Sequence, residues 1–142
     1  MKRRDALKVA ALAVLSTTVA SAYDEKLIVN KQAMSIKDPA NPTELELKHS
    51  PEITLGDVDK TGFTLVEVNI GQKGVIHPSV EKHWIYEIDL LADEHKVATV
   101  SLEPITARGY LSARVDLKTV KTLTAISRCN IHGSYTASIK VS

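Results

Sequence analysis

A single cysteine, Cys129, occurs in the 142 residues, so the chain cannot close an internal disulfide. Long apolar runs are missing as well. Val9–Leu15 falls far short of the roughly 20 residues that a helix needs to cross a bilayer, which leaves the rest of the chain without a membrane span. Almost no window carries a 3.6-residue apolar stripe, and this excludes a helical bundle. The chain also lacks internal repeats, low-complexity tracts and any stretch that reads as an interdomain linker.

The first residues are lopsided. Met1-Lys2-Arg3-Arg4-Asp5-Ala6-Leu7-Lys8 precedes the Val9–Leu15 run, and small residues follow to Val19-Ala20-Ser21-Ala22, a pattern that reads as an export signal cleaved after Ala22. Arg3-Arg4 with Leu7 and Lys8 resembles the twin-arginine type of bacterial signal, with Ala6 where that pattern usually has Phe. The resemblance implies transport of an already folded chain to the periplasm. Cleavage removes four cations and one anion and takes the formal charge from +1 to −2, which argues against nucleic acid as a partner. The expected organisation is a signal peptide over 1–22 and one domain over 23–142, with no membrane contact in the mature form.

Beyond Ala22 the apolar residues recur mostly every second position, the mark of strands with one buried face. Leu111, Ala113, Val115 and Leu117 show this, as do Trp84, Tyr86, Ile88 and Leu90, and Tyr135, Ala137, Ile139 and Val141. The candidate strands are Lys26–Ala33, Glu44–Lys48, Phe63–Ile70, His83–Leu91, Lys96–Leu102, Tyr110–Leu117, Thr122–Cys129 and Ser134–Val141. Seven to eight short strands separated by turn signals predict an all-β, immunoglobulin-like antiparallel sandwich.

Four of the five histidines and the cysteine gather in three short clusters: Lys48-His49-Ser50-Pro51, His77-Pro78 with His83, and Cys129-Asn130-Ile131-His132-Gly133. On the strand map they fall at strand ends and loops, where side chains can converge without disturbing a core. Imidazole is an intermediate nitrogen donor and thiolate a soft sulfur donor, so His49, His77, His83, His132 and Cys129 together suit redox iron better than hydrolytic metal chemistry. A lone buried thiol is commonly inert, but His132 three residues on makes Cys129 a ligand candidate. His95, in Asp93-Glu94-His95-Lys96, lacks such company and reads as part of a polar turn. Pro78 and Gly133 are expected to hold the ligand loops in restricted geometries, and Trp84 reads as core.

These three clusters resemble the motifs of superoxide reductase, the neelaredoxin and desulfoferrodoxin iron-domain family, over roughly residues 44 to 141. The resemblance implies one mononuclear non-haem iron, Fe2+/Fe3+, with His49, His77, His83 and His132 in a plane, the Cys129 thiolate on one axis and the opposite face open. It implies reduction of superoxide to hydrogen peroxide. Lys48 beside the open face is then the catalytic candidate, drawing in the anion and stabilising charge on it. The family usually has Glu-Lys-His-x-Pro, where the glutamate is taken to cap the oxidised iron. Leu47 stands there in this chain, and Glu46, one residue away, faces the other side of a strand, so neither takes that role.

Two other readings share these residues. A blue-copper-like periplasmic electron carrier also uses His and a Cys-loop-His segment, but it normally takes an axial Met after the last His, and no Met follows Met34. An exported binding module would hold a metal without superoxide turnover, and structural zinc is nearly always four-coordinate, against five candidate donors here. No rubredoxin-like cysteine pair accompanies the site, so an unidentified periplasmic donor must supply the electron. A homo-oligomer is left open by the sequence.

Overall fold

The computed structural model describes residues 23–142, so the export-signal reading of 1–22 lies outside the described residues. Seven strands form two antiparallel sheets: β1 (Pro51–Val58), β2 (Thr64–Ile70) and β5 (Tyr110–Val115) in the order β1-β2-β5, and β3 (Ile85–Ala92), β4 (His95–Ser101), β6 (Thr122–Cys129) and β7 (Gly133–Lys140) in the order β4-β3-β6-β7. The all-β expectation holds. In β2 and β6 burial alternates residue by residue, so the inward set, Val66, Val68 and Ile70 with Leu123, Ala125 and Cys129, is the one the period-two pattern selects.

Ile88 and Leu90 of β3 complete the centre, both fully buried. Removing each such side chain from water contributes about 1.5–3 kcal/mol before conformational entropy is counted. Trp84 is buried as expected, with its indole N–H donating to the Leu102 carbonyl at 2.9 Å. No helix among the described residues is long and apolar enough to cross a membrane.

Two expected elements need correction, and one strand was not expected. Glu44–Lys48 is not a strand; Glu44–His49 is a short α-helix, α1. Its alternating Glu-Leu-Glu-Leu spelling imitates a strand, but Thr43 accepts from the Glu46 N–H while the Glu46 carboxylate accepts from the Thr43 N–H, a reciprocal cap that starts a helix. Pro51 then ends it and opens the edge strand β1, which the sequence reading missed. Lys26–Ala33 is likewise not a strand. A single 3₁₀ turn, Glu25–Leu27, leads into an extended strap that touches the sheet by one bridge, Ala33 to Ser134.

Candidate metal centre

α1, the β2–β3 loop and the β6–β7 turn meet at one end of the sandwich. An isolated helix of six residues would not persist in water. Here the Leu47 and Ser50 carbonyls accept the N–H groups of Gln72 and Gly71, and the Ser127 hydroxyl donates to the His49 carbonyl. Gly71 has φ +112°, and a Cβ there would lie 1.6 Å from the Val75 carbonyl oxygen, so only glycine allows the loop to turn toward His77. Gly133 has φ +83° and lies against the strap, with Gln32 O 2.5 Å from a notional Cβ, which bears out its expected tight geometry.

Those constraints aim the side chains. His49 and His77 are each 1% exposed. His49 Nδ1 lies 2.6 Å from the Leu45 carbonyl and His77 Nδ1 2.7 Å from the Pro78 carbonyl. A carbonyl only accepts, so each Nδ1 carries the proton and each Nε2 presents a lone pair. Both Nε2 atoms are buried without a hydrogen-bond partner among the described residues.

The four imidazoles form a closed ring of edge-on neighbours. Centroids are 4.6 Å apart for His49–His77, His77–His83 and His49–His132, and 4.9 Å for His83–His132, with interplanar angles of 72–79°. His49 and His83, across the ring, are 5.8 Å apart and inclined by 26°. His83 Nε2 lies 3.2 Å from His132 Nδ1, which in turn lies 3.7 Å from Cys129 Sγ. Donor atoms of His49, His83, Cys129 and His132 all fall within 4.8 Å of one another; His77 is outside that group of four but adjoins two of its members. All five sequence-nominated donors are therefore brought to one place. His95 opens β4 and is exposed, apart from them.

Burial makes these groups good ligands. Desolvation, with the neighbouring imidazoles and Lys48 adding to it, lowers the pKa of His49 to about 4, against a raising bond to the Leu45 carbonyl. Desolvation and then the nearby His49 take His77 to about 3. His83 moves down for the same first reason, followed by His132 and Lys48. All three are neutral at pH 7, the form that binds metal. Burial pushes the Cys129 thiol up while hydrogen bonds from the Ile131 and His132 backbone N–H groups pull it back, and a nearby cation would favour the thiolate outright. Two unpartnered buried lone pairs, on rings packed against further imidazoles and beside a thiol, are costly unless a cation joins them, so the set fits a borderline-soft metal such as iron.

A surface cavity of about 330 Å³ opens onto this cluster, lined by Glu44, Leu45, Lys48, His49, His83 and His132. Lys48 is half-buried, and its charge is felt by both His49 and His83. Glu44 was not anticipated: it sits one helical turn before Lys48, and the capping pattern Thr43-x-x-Glu46 was the signal that could have placed it on the same face. Neither Glu44 nor Lys48 makes an ion pair among the described residues. Leu47 is absent from the cavity wall. Glu46 is no ligand, but for a reason other than strand alternation: its buried carboxylate accepts from the backbone N–H groups of Lys37 and Thr43.

Residues 41–138 match the family model described as Desulfoferrodoxin. Among solved structures, a superoxide reductase of the one-iron class from Giardia intestinalis is 29% identical, with a TM-score of 0.56 over 66% of this chain and 98% of its own. The superoxide reductase (neelaredoxin) of Ignicoccus hospitalis is 27% identical, with a TM-score of 0.55 over 66% and 80%. A superoxide reductase from Nanoarchaeum equitans, 22% identical with a TM-score of 0.57 over 66% and 93%, shares the fold. No curated protein sequence matches the chain.

Proposed function

Because the chain belongs to the desulfoferrodoxin family, we propose that it is a periplasmic superoxide reductase, converting superoxide, one electron and two protons into hydrogen peroxide. The observation that carries the reading is the convergence of the two unpartnered imidazole nitrogens, His49 Nε2 and His77 Nε2, with His83, His132 and the Cys129 sulfur. These five side chains would hold one mononuclear iron. When bound, ferrous iron supplies the electron and an open position for a small anion.

The residues of the chain do the rest. Lys48 raises the local concentration of superoxide at the cavity and stabilises charge gathering on it, because a cation at the rim of a low-dielectric recess acts more strongly than one in bulk water. The carbonyls of Leu45 and Pro78 fix two imidazoles in the ligating tautomer, so no reorganisation is needed during reaction. The Ile131 and His132 N–H groups moderate electron donation by the Cys129 sulfur. Solvent reaching the cavity delivers the protons. Export rests on the Arg3-Arg4 pattern and the Ala20-Ser21-Ala22 end, with residues 23–142 as the mature domain, and reduction of the site falls to a separate periplasmic donor.

Metal analysis with visible absorption tests the assignment. The purified protein is expected to carry one iron per chain and, when oxidised, a cysteinate-to-ferric charge-transfer band that Cys129→Ser abolishes. An intense blue copper band, or a colourless zinc protein, would overturn it.

A further inference from the structure

We infer that Asn130 is a positioning residue for this centre, a clip that sets His83 relative to Cys129 by bonding both flanks of one loop from the residue next to the other ligand. The inference rests on the metal-site reading above. Asn130 is 1% exposed, and its side-chain amide is fully used. Nδ2 donates to the Lys82 carbonyl at 2.9 Å and to the Leu27 carbonyl at 3.1 Å, while Oδ1 accepts the Trp84 N–H at 3.0 Å and lies 4.0 Å from the Cys129 sulfur. The Asn130 backbone N–H also donates to the Trp84 carbonyl at 3.2 Å, and its own carbonyl accepts from Val29 N at 2.9 Å.

Lys82 and Trp84 bracket His83, so its main chain is held on both sides by Asn130. Peptide linkage ties the same residue to Cys129. Leu27 ends the 3₁₀ turn and Val29 lies in the strap that follows it, so this N-terminal segment is fastened against both ligand loops.

The chemistry of the position is narrow. Holding the Lys82 and Leu27 carbonyls and the Trp84 N–H takes two donors and one acceptor from a short, uncharged group, which the asparagine amide supplies. Aspartate is equal in size but would face the Lys82 and Leu27 carbonyls with oxygen instead of N–H. Serine has a single donor, and glutamine is one methylene too long. Groups that hold metal-ligating loops in place typically change metal affinity about 10- to 100-fold when altered.

Cobalt(II) titration of the full-length protein tests the inference without reference to turnover, since a sulfur-to-cobalt charge-transfer band reports Cys129 directly. Asn130→Asp is expected to bind Co2+ about 10- to 100-fold more weakly and to displace or weaken that band. Asn30→Ala, which loosens the same strap at Ile131 O and leaves every Asn130 contact in place, is expected to match the unaltered protein. Should Asn130→Asp not fold, Asn130→Ser carries the test with the same expectation. Unchanged affinity and band in a folded Asn130 variant would overturn the inference. So would a lowered melting temperature with an unchanged cobalt spectrum, because that marks a purely structural part. Absence of the band in the unaltered protein would instead overturn the metal-site reading itself, and this inference with it.

Discussion

At the scale of single residues, charge and protonation decide what the centre can do. Lys48→Ala is expected to slow the second-order reaction with superoxide about tenfold at low salt and to flatten its dependence on ionic strength, since steering by a surface charge is screened. Rapid mixing at two salt concentrations checks this, and an unchanged low-salt rate would remove the steering role. The depressed histidines predict a pH effect in the metal-free protein. His49 and His77 hold fewer protons folded than unfolded between their ordinary value near 6.5 and their folded values of about 4 and about 3. Stability from both is therefore fully present above pH 6.5 and falls as pH drops through that window, by about 1.4 kcal/mol per unit for each group at most. Denaturant titrations of apo-protein at pH 7 and pH 5 should show this loss, and bound iron should raise stability at pH 7 while leaving the fall toward pH 5 in place or steeper, because unfolding then frees the ligating nitrogens and the thiolate to take up protons.

At the scale of elements, α1 delivers both Lys48 and His49, so its cap reaches into the site. Thr43→Ala is expected to cost about 1 kcal/mol of stability and to weaken iron binding, because the first turn loses its acceptor while the last turn carries a ligand. Thermal melts of iron-loaded and iron-free protein separate the two effects. This helix also marks where the sequence misleads. Glu44-Leu45-Glu46-Leu47 has the two-residue rhythm of a strand, and only the Thr43–Glu46 pairing betrays the cap. β1 was hidden because Pro51 and Gly56 interrupt its pattern, which an edge strand tolerates. By contrast β5, β6 and β7 lie within a few residues of expectation, since their alternating faces are read out directly by burial. The donor set was legible because chemistry confines it to His and Cys. Glu44 and Asn130 were not, because a charge at a rim and an amide clip take their meaning from residues far away in the chain.

At the scale of the whole molecule, the two sheets act as a frame whose one end carries α1, one loop and one turn, and whose core needs no metal to explain its apolar packing. Replacing Arg3 and Arg4 by lysine is expected to hold the protein back from the periplasm, and N-terminal sequencing of exported protein should begin at Tyr23; cell fractionation showing unimpaired export would remove the twin-arginine route. The account stands most directly on one reaction, that of iron-loaded, fully reduced protein with a pulse of superoxide. It predicts second-order loss of superoxide at a rate approaching 10⁸–10⁹ M⁻¹ s⁻¹, with one hydrogen peroxide formed for each ferrous centre oxidised and the cysteinate-to-ferric band rising in step. Superoxide decaying no faster than in protein-free buffer, with the iron still ferrous, would contradict it.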